Sequence, residues 1–350
     1  MNYLVQLLAP LAPINKLGGV YFPLGDVVLA VIALLTALII LYTVINSGKI
    51  SKVEIYLSVT GLLFILAGRL AGVAGILQAL ATVSNLFFFL ALLRLRDNQF
   101  DNVVKGFLII SWLALSYSLA VSQQGWNVSP LGPPSVTYAS VIMPALLLKK
   151  GRFISMAGLG LAWIAKARTL VGGLIIGAAV AMIPIRMRFY LLLFVFCGAV
   201  YVLYELNIQS DDWLQLTSVF SGRPGIWEAQ IRIFMERCNF LIGCGPTYSD
   251  KFVDDYIKLG FFSNMRIKEA NVHNTYLGLA IDYGVAGMLL VVVFFREIVF
   301  TVRNAQWLIF TVAIMVSLVI LMVKAASAPV VALTMAAVVR SRLEKKVSGC

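Results

Sequence analysis

Residues 26–46 read DVVLAVIALLTALIILYTVIN, an apolar run whose single charged residue, Asp26, stands at its start. A helix needs about 20 mostly apolar residues to cross the hydrocarbon core of a bilayer, so this run is long enough to span a membrane. The 350 residues of the chain are 61% hydrophobic and 13% charged, and the mean hydropathy is +0.92. Soluble domains carry about 25% charged residues, so the composition excludes a water-soluble fold and predicts an all-α, polytopic helical membrane protein.

Similar apolar runs recur along the whole chain and give the predicted number of spans. The N-terminal stretch LVQLLAPLAPI is short and interrupted by proline, so it is expected to be interfacial or a broken further span. The total is therefore about 11 to 12 transmembrane helices. The predicted spans are 26–46, 54–68, 73–93, 103–121, 134–148, 153–167, 169–185, 188–206, 273–295, 306–322 and 326–340.

Every second connection between these spans is basic. Cytoplasmic loops of membrane proteins carry an excess of Lys and Arg, so the basic connections are placed in the cytoplasm. This orientation puts residues 122–133, the turn at Arg168 and the segment 207–272 on the outer side. The basic clusters are Lys49 with Lys52, Arg94 with Arg96, Lys149 and Lys150 with Arg152, Arg186 with Arg188, Arg296 with Arg303, and Arg340 to Lys346.

The chain is accordingly divided into three parts: an N-terminal transmembrane bundle (1–206), a large outer loop (207–272) and C-terminal transmembrane helices with a short basic cytoplasmic tail (273–350). Within the loop, SGRPGIWEAQIRIFMERC has the apolar spacing of an amphipathic helix lying on the membrane surface. The glycines of the following LIGCGPTY predict a tight turn, and DDYIKLGFF predicts a second short helix.

Charge and cysteine usage exclude two classes of function. The formal net charge of +12 is spread over short loops as orientation signals, so nucleic-acid binding is not expected. Four cysteines without a C-x-x-C pair and a single histidine exclude a structural zinc site, and no metal or cofactor is predicted. Cys238 and Cys244 lie in the outer loop, where a disulfide can persist, but their spacing alone leaves the pairing open.

Two arginines of the predicted outer rim form a candidate anion site. An arginine near a span end commonly anchors the helix at the interface, which is the simpler interpretation of either residue alone. Arg168, however, lies on an outer turn, where orientation signals are normally avoided, and Arg223 lies at the start of the amphipathic helix, one turn before Trp227. Two planar guanidinium groups at one pocket favour phosphate or diphosphate binding.

His273 and Asn274 open the ninth predicted span. A helix N-terminus disfavours the imidazolium form, so a histidine there tends to stay neutral and can accept a proton. Asn274 can cap the helix, while the first-turn N–H groups can meet an anion. The simpler interpretation of His273 is an interfacial histidine. Asp282 and Glu205, near span ends, are expected to cap helices or to form pairs rather than to relay protons.

These residues, taken in order, resemble the bacterial O-antigen ligase and polymerase superfamily of polytopic membrane glycosyltransferases. The resemblance covers about residues 160 to 295. It rests on an arginine before a span in AKART, the R-x-x-x-W spacing, a G-x-G turn, and an HN-x-Y-L segment followed by G-x-x-G. The matching residues are Arg168, Arg223, Trp227, Gly243, Gly245, His273, Asn274, Tyr276, Leu277, Gly284 and Gly287.

The resemblance implies a metal-independent transfer of a glycan from an undecaprenyl-diphosphate carrier onto a sugar hydroxyl, at the periplasmic face of the bacterial inner membrane. Arg168 and Arg223 match the family's diphosphate-binding arginines, and His273 matches its proposed base; Asn274, Trp227 and Tyr276 are supporting residues. The acceptor is the lipid A core for a ligase, or another carrier-linked glycan for a polymerase. The family favours inversion at the transferred sugar.

The sequence departs from the family pattern at Ala167, where a serine often stands, and at Phe240, where a proline often stands. Three other functions remain as alternatives. Peptidoglycan polymerases of the shape, elongation and division class are related enzymes that depend on an outer-loop acid. A transporter or lipid flippase predicts ionisable groups near the midplane and broken helices in two repeats. A non-catalytic assembly protein predicts that the arginines and the histidine are dispensable.

Overall fold

A computed structural model describes the chain at residues 2–14, 16–17, 20–21, 24–47, 51–70, 72–121, 175–177, 179–184, 187–188, 190, 234–246, 275–301, 329, 331–333, 335–337 and 339–340. The long elements are helices: α1 (Asn2–Leu8), a 3-10 turn (Ala9–Leu11), α2 (Leu24–Ser47), α3 (Lys52–Leu70), α4 (Gly72–Leu93), α5 (Asp97–Val121) and α6 (Thr275–Thr301). Strands β1 (Lys16–Leu17) and β2 (Val20–Tyr21) form a short antiparallel pair.

The predicted fold class is confirmed in its coarse form. The described part of the chain is mostly helical, and three stretches are long and apolar enough to cross a membrane. They are Leu24–Asn46, Gly72–Leu93 and Tyr276–Val293. They coincide with three predicted spans, 26–46, 73–93 and 273–295. At 1.5 Å per residue, the 24 residues of α2 extend for about 36 Å, which exceeds the thickness of the hydrocarbon core.

Side chains near the start of α3 and α5 explain why these helices begin where they do. Ser51 and Glu54 form a reciprocal capping box: the Ser51 N–H donates to Glu54 Oε2 (2.9 Å), and the Glu54 N–H donates to Ser51 Oγ (3.2 Å). Before α5, the Arg96 N–H donates to Gln99 Oε1 (3.1 Å). The polar first turn of α5 is therefore helical, and the helix begins at Asp97 rather than at the predicted 103.

Helices α3, α4 and α6 pack together through two buried apolar clusters. α3 and α4 make an antiparallel hairpin that turns between Leu70 and Gly72. Tyr283 of α6 stacks on Phe64 of α3, with ring centroids 4.0 Å apart. Further along α6, Leu290 packs against the buried cluster of Ile40, Leu57 and Leu90, which lies toward the start of α3 and the end of α4. From Tyr283 to Leu290, α6 therefore runs in the same direction as α4.

The N-terminal segment belongs to the core of the bundle. Val5, Ala9 and Ala12 are fully buried and pack with residues of α2, α4 and α5 in one apolar cluster. The Gly25 N–H donates to the Ile14 carbonyl oxygen (2.8 Å), which fixes the segment to the start of α2. α1 has seven residues, about 10 Å of helix, so it is too short to cross a bilayer by itself.

Charged side chains gather at one end of the bundle, here called the basic end. Arg94 pairs with Glu54, its Nε lying 2.9 Å from the Oε1 atom. Arg340 donates to the carbonyl oxygens of Leu92, Leu93 and Leu95, and it pairs with Asp97. The residues of three predicted cytoplasmic clusters thus lie together. Arg69 departs from this pattern, since it is exposed in the last turn of α3, at the opposite end.

Candidate functional site

Residues 238–244, in the segment predicted to be the outer loop, form a small ring closed by a disulfide. Cys238 and Cys244 are bonded, with their Cα atoms 4.6 Å apart, which resolves the pairing that their spacing left open. Inside the ring, Asn239 Oδ1 accepts from the Leu241 N–H (2.9 Å), and the Gly243 N–H donates to the Asn239 carbonyl oxygen (2.7 Å). An asparagine that bonds the backbone two residues further on is typical of a turn. Residues 238–246 are called the docked loop below.

α6 is broken where this loop meets it. Gly284 has φ +58° and ψ −137°, values outside the helical region, so the helix on either side cannot be continuous. Residues with a Cβ atom rarely adopt these backbone angles, which explains why a glycine stands at the break. A break frees backbone carbonyl and N–H groups that a continuous helix would pair, and such groups need other partners when they are buried.

The docked loop supplies those partners through its own backbone. The Cys244 N–H donates to the Ile281 carbonyl oxygen (2.8 Å), and the Gly245 N–H donates to the Asp282 carbonyl oxygen (3.2 Å). In the reverse direction, the Val285 N–H donates to the Phe240 carbonyl oxygen (3.0 Å). The two backbones are too close for side chains: a Cβ on Gly243, whose φ is +75°, would come 2.4 Å from the Ile281 oxygen. The loop and the helix break fit each other through main-chain atoms.

Apolar packing places this contact toward the end of the bundle opposite the charges, here called the loop end. Ile242 of the docked loop packs against a buried cluster that includes Phe64 and Ala67, both in the half of α3 that leads to the turn at Leu70. The Tyr283 hydroxyl lies 3.0 Å from the Thr82 hydroxyl of α4. The docked loop is therefore held by α3 and α6 together.

Asp282 is buried at the same contact. Its residue exposure is 5%, and it is the one acidic residue that is buried among those described. It lies within the apolar stretch Tyr276–Val293, where a carboxylate is costly unless it serves pairing or function. The sequence favoured a capping or paired role for Asp282. Its place beside the docked loop makes it a residue of the candidate site.

Most residues of the sequence-predicted site lie outside the described residues: Arg168, Arg223, Trp227, His273 and Asn274. Their meeting in one pocket remains a prediction. His273 and Asn274 directly precede Thr275, the first residue of α6. Tyr276 is described, and its ring packs against the apolar cluster that also contains the N-terminal segment.

Two pieces of the family-like pattern do come together. The G-x-G turn at Gly243 and Gly245 contacts α6 at the first glycine of the G-x-x-G segment, since a Cβ on Gly284 would lie 2.6 Å from the Gly243 nitrogen. About 40 residues separate these glycines in sequence. The sequence pattern contained both glycine pairs but gave no sign that they meet. The helix break was not predicted, because the run around Gly284 is apolar except for Asp282 and is long enough for one span.

Metal ligation has no support among the described residues, where no three His, Cys, Asp or Glu side chains come close enough together to hold a metal ion. Comparison of the chain with protein-family models gives no matching family, and comparison with curated proteins gives no match either. The resemblance to the O-antigen ligase and polymerase superfamily therefore rests on the motif residues themselves.

Proposed function

We propose that the chain is a metal-independent glycosyltransferase of the bacterial inner membrane, of the O-antigen ligase type. It moves a glycan from undecaprenyl diphosphate onto a sugar hydroxyl of the lipid A core at the periplasmic face. A polymerase of the same superfamily, with a carrier-linked glycan as acceptor, is the closest alternative. Both reactions need the same donor, the same diphosphate-binding arginines and the same base.

The proposed topology has about 11 to 12 spans, with the basic end in the cytoplasm. Residues from three basic connections, Arg94, Arg340 and the start of α3 at Lys52, lie at that end. The disulfide of the docked loop supplies an independent argument, because disulfides persist in oxidising compartments outside the cytoplasm. Positive charge at one end and a disulfide toward the other favour the same orientation.

The observation that supports the function most strongly is the contact between the G-x-G turn and the helix that follows His273. A transferase site built from the outer loop and α6 requires these segments to meet. The docked loop is joined to the helix break by three backbone hydrogen bonds. The loop that contains Arg223 is thereby anchored to the helix that begins two residues after His273.

The proposed chemistry needs two arginines and one base. The acceptor hydroxyl attacks C1 of the donor sugar as the bond between C1 and the diphosphate oxygen breaks, and His273 takes the hydroxyl proton. Arg168 and Arg223 neutralise the charge that develops on the departing undecaprenyl diphosphate. Attack from the face opposite the leaving group inverts the configuration at C1. Asn274, Trp227 and Tyr276 are proposed to support this arrangement.

Single alanine substitutions at Arg168, Arg223 and His273 test the proposal in cells that lack the wild-type chain. Surface polysaccharide is expected to fall by on the order of 100-fold or more in each variant, because a general base or an oxyanion donor contributes at least that much. Arg69→Ala is the matched control, since Arg69 is an exposed arginine at the loop end outside the motif. Normal polysaccharide from three variants present at wild-type levels in the membrane would overturn the proposal.

The products distinguish the two enzyme types. If the alanine variants accumulate long chains on the carrier and leave the lipid A core uncapped, the chain is a ligase. Cores capped with single repeat units indicate a polymerase, because ligation continues while chain extension stops.

One observation favours a transporter or flippase as the second candidate function. Transporters use broken helices with ionisable residues, and α6 combines a break at Gly284 with the buried Asp282. In this chain, however, N–H groups of the docked loop already bond the Ile281 and Asp282 carbonyl oxygens, so these oxygens are less available to a substrate ion. Movement of a lipid-linked glycan across vesicles without transfer to an acceptor would favour this second function.

A further inference from the structure

The disulfide ring and the helix break are coupled through a few adjacent residues. Cys244 is both a member of the disulfide and a hydrogen-bond donor to the Ile281 carbonyl oxygen. Phe240, whose carbonyl oxygen accepts from the Val285 N–H, lies inside the same ring. Gly245, whose N–H donates to the Asp282 carbonyl oxygen, directly follows the ring. All three bonds that join the loop to α6 therefore depend on backbone groups in or beside the ring.

Closing the ring restricts these groups before they dock. A short loop without the disulfide samples many conformations, and the ordering entropy must be met when it binds the helix. With the disulfide and the Asn239 turn, the ring presents its backbone groups in a nearly fixed geometry. The local conformation also needs a glycine at position 243, because a side chain there would meet the Ile281 carbonyl oxygen.

We propose that the Cys238–Cys244 disulfide is a latch that positions the outer loop on the break in α6. Cys238, Cys244 and Gly243 are positioning residues: they touch no substrate, and they act by holding the segment that leads back to Arg223. The effect on transfer rests on the proposed function, whereas the docking itself does not. In the dithiol form the ring opens, the three backbone bonds to α6 loosen, and the site loses its geometry.

The latch requires a partner that oxidises thiols. Two thiols lose two electrons and two protons as the Cys238–Cys244 bond forms, and the disulfide of an exterior thiol–disulfide oxidoreductase accepts them and becomes a dithiol. The redox state of the compartment at the loop end therefore determines the fraction of competent enzyme. Thiols of the cytoplasm would instead reduce the disulfide, so the latch requires the loop to lie on the outer side of the membrane.

Two variants of the full-length chain test the latch by different routes. Cys238→Ala combined with Cys244→Ala removes the disulfide, and Gly243→Ala keeps both cysteines but obstructs docking. Cys350→Ala controls for cysteine loss. Gly72→Ala controls for backbone strain, because Gly72 has φ +71° but no atom within 4 Å of a Cβ at that position. Deuterium exchange of peptides covering 238–246 and 281–286 measures docking, and transfer from the lipid-linked donor measures its consequence.

Both loop variants are expected to exchange faster in these two peptides, while the two controls match the wild type. In the two loop variants, kcat/KM for the donor is expected to fall on the order of 100-fold, mainly through a higher KM, because a displaced Arg223 binds the diphosphate poorly. Unchanged exchange in the double cysteine variant would overturn the latch. Faster exchange with unchanged KM would overturn the positioning role. If the wild-type chain transfers no glycan, the proposed function fails, and the exchange data still decide whether the latch exists.

Discussion

At both ends of the bundle, a helix that ends or breaks leaves backbone carbonyl groups unpaired within the helix, and different atoms bond them at the two ends. At the basic end, α4 ends, and the guanidinium of Arg340 bonds its last carbonyl groups at Leu92 and Leu93 and the carbonyl group of the following Leu95. At the loop end, the break in α6 frees carbonyl groups of Ile281 and Asp282, and backbone N–H groups of the docked loop bond them. One end uses charged side chains, and the other uses main-chain geometry.

This difference predicts different sensitivities to substitution. Charged side chains are long, so the basic end should tolerate changes of size while losing stability when charge is removed. The loop end has backbone atoms in direct contact at Gly243 and Gly284, so a single methyl group should be harmful there. The loop end therefore has little steric tolerance at the contact between the docked loop and α6. The following substitutions test this contrast.

Gly284→Ala should have the largest effect on stability. The new Cβ would come 2.6 Å from the Phe240 oxygen, and alanine does not favour φ +58°. Backbone strain and lost hydrogen bonds together should lower the free energy of unfolding by more than about 3 kcal/mol, measured by denaturation in mixed micelles. Gly61→Ala is the control, because a Cβ there makes an ordinary contact at 3.4 Å. Equal stability of the two variants would contradict the close backbone contact.

Arg340→Ala should have the next largest effect. Arg340 is 9% exposed, and its removal takes a donor from the carbonyl oxygens of Leu93 and Leu95 as well as from Leu92, which also accepts from the Leu95 N–H. The expected loss is about 3 kcal/mol in the same denaturation experiment. Arg340→Lys keeps the charge but not the planar guanidinium, so its stability should lie between that of the wild type and that of Arg340→Ala. If the alanine variant were as stable as the wild type, the basic end would not depend on this guanidinium.

Glu54→Gln and Glu54→Ala separate two roles of one carboxylate at the basic end. Glutamine can keep the capping box with Ser51 but loses the ion pair with Arg94. The glutamine variant should lose up to about 1 kcal/mol, and the alanine variant about 1 kcal/mol more. The loss in the glutamine variant should shrink at high salt. Identical stabilities of the two variants at all salt concentrations would show that the cap makes no separate contribution.

Tyr283→Phe should have the smallest effect. It removes the hydrogen bond with the Thr82 hydroxyl but keeps the ring that stacks on Phe64. The expected loss is about 1 kcal/mol, and a double-mutant cycle with Thr82→Val measures how much of it belongs to the pair. A loss as large as that of Gly284→Ala would mean that side-chain hydrogen bonding, rather than main-chain fit, dominates the loop end.

The sequence was sufficient for the helices that consist of apolar residues throughout. The predicted spans 26–46 and 73–93 nearly coincide with α2 and α4, because a run of about 20 apolar residues is itself the physical requirement. Helix ends in polar sequence were predicted less well. α6 continues to Thr301 instead of 295, since hydrogen bonding of a helix does not stop where its hydrophobicity does.

The geometry of the loop end could not be predicted from sequence. The break at Gly284 lies in a run whose one charged residue is Asp282, and its hydrogen-bond partners come from a segment about 40 residues earlier. Whether Cys238 and Cys244 pair depends on the turn that Asn239 stabilises, which spacing alone does not reveal. The burial of Asp282 beside the docked loop could likewise not be predicted, because it depends on contacts between segments distant in sequence.

Reconstituted transfer is the most direct test of the proposed glycosyltransferase activity. The purified chain in vesicles is given an undecaprenyl-diphosphate-linked glycan and a lipid A core acceptor, with a chelator present, and the capped core is quantified. The wild-type chain and Arg69→Ala are expected to transfer the glycan, with a loss on the order of 100-fold or more in His273→Ala. Absence of transfer by the wild-type chain, or equal transfer by His273→Ala, would contradict the account.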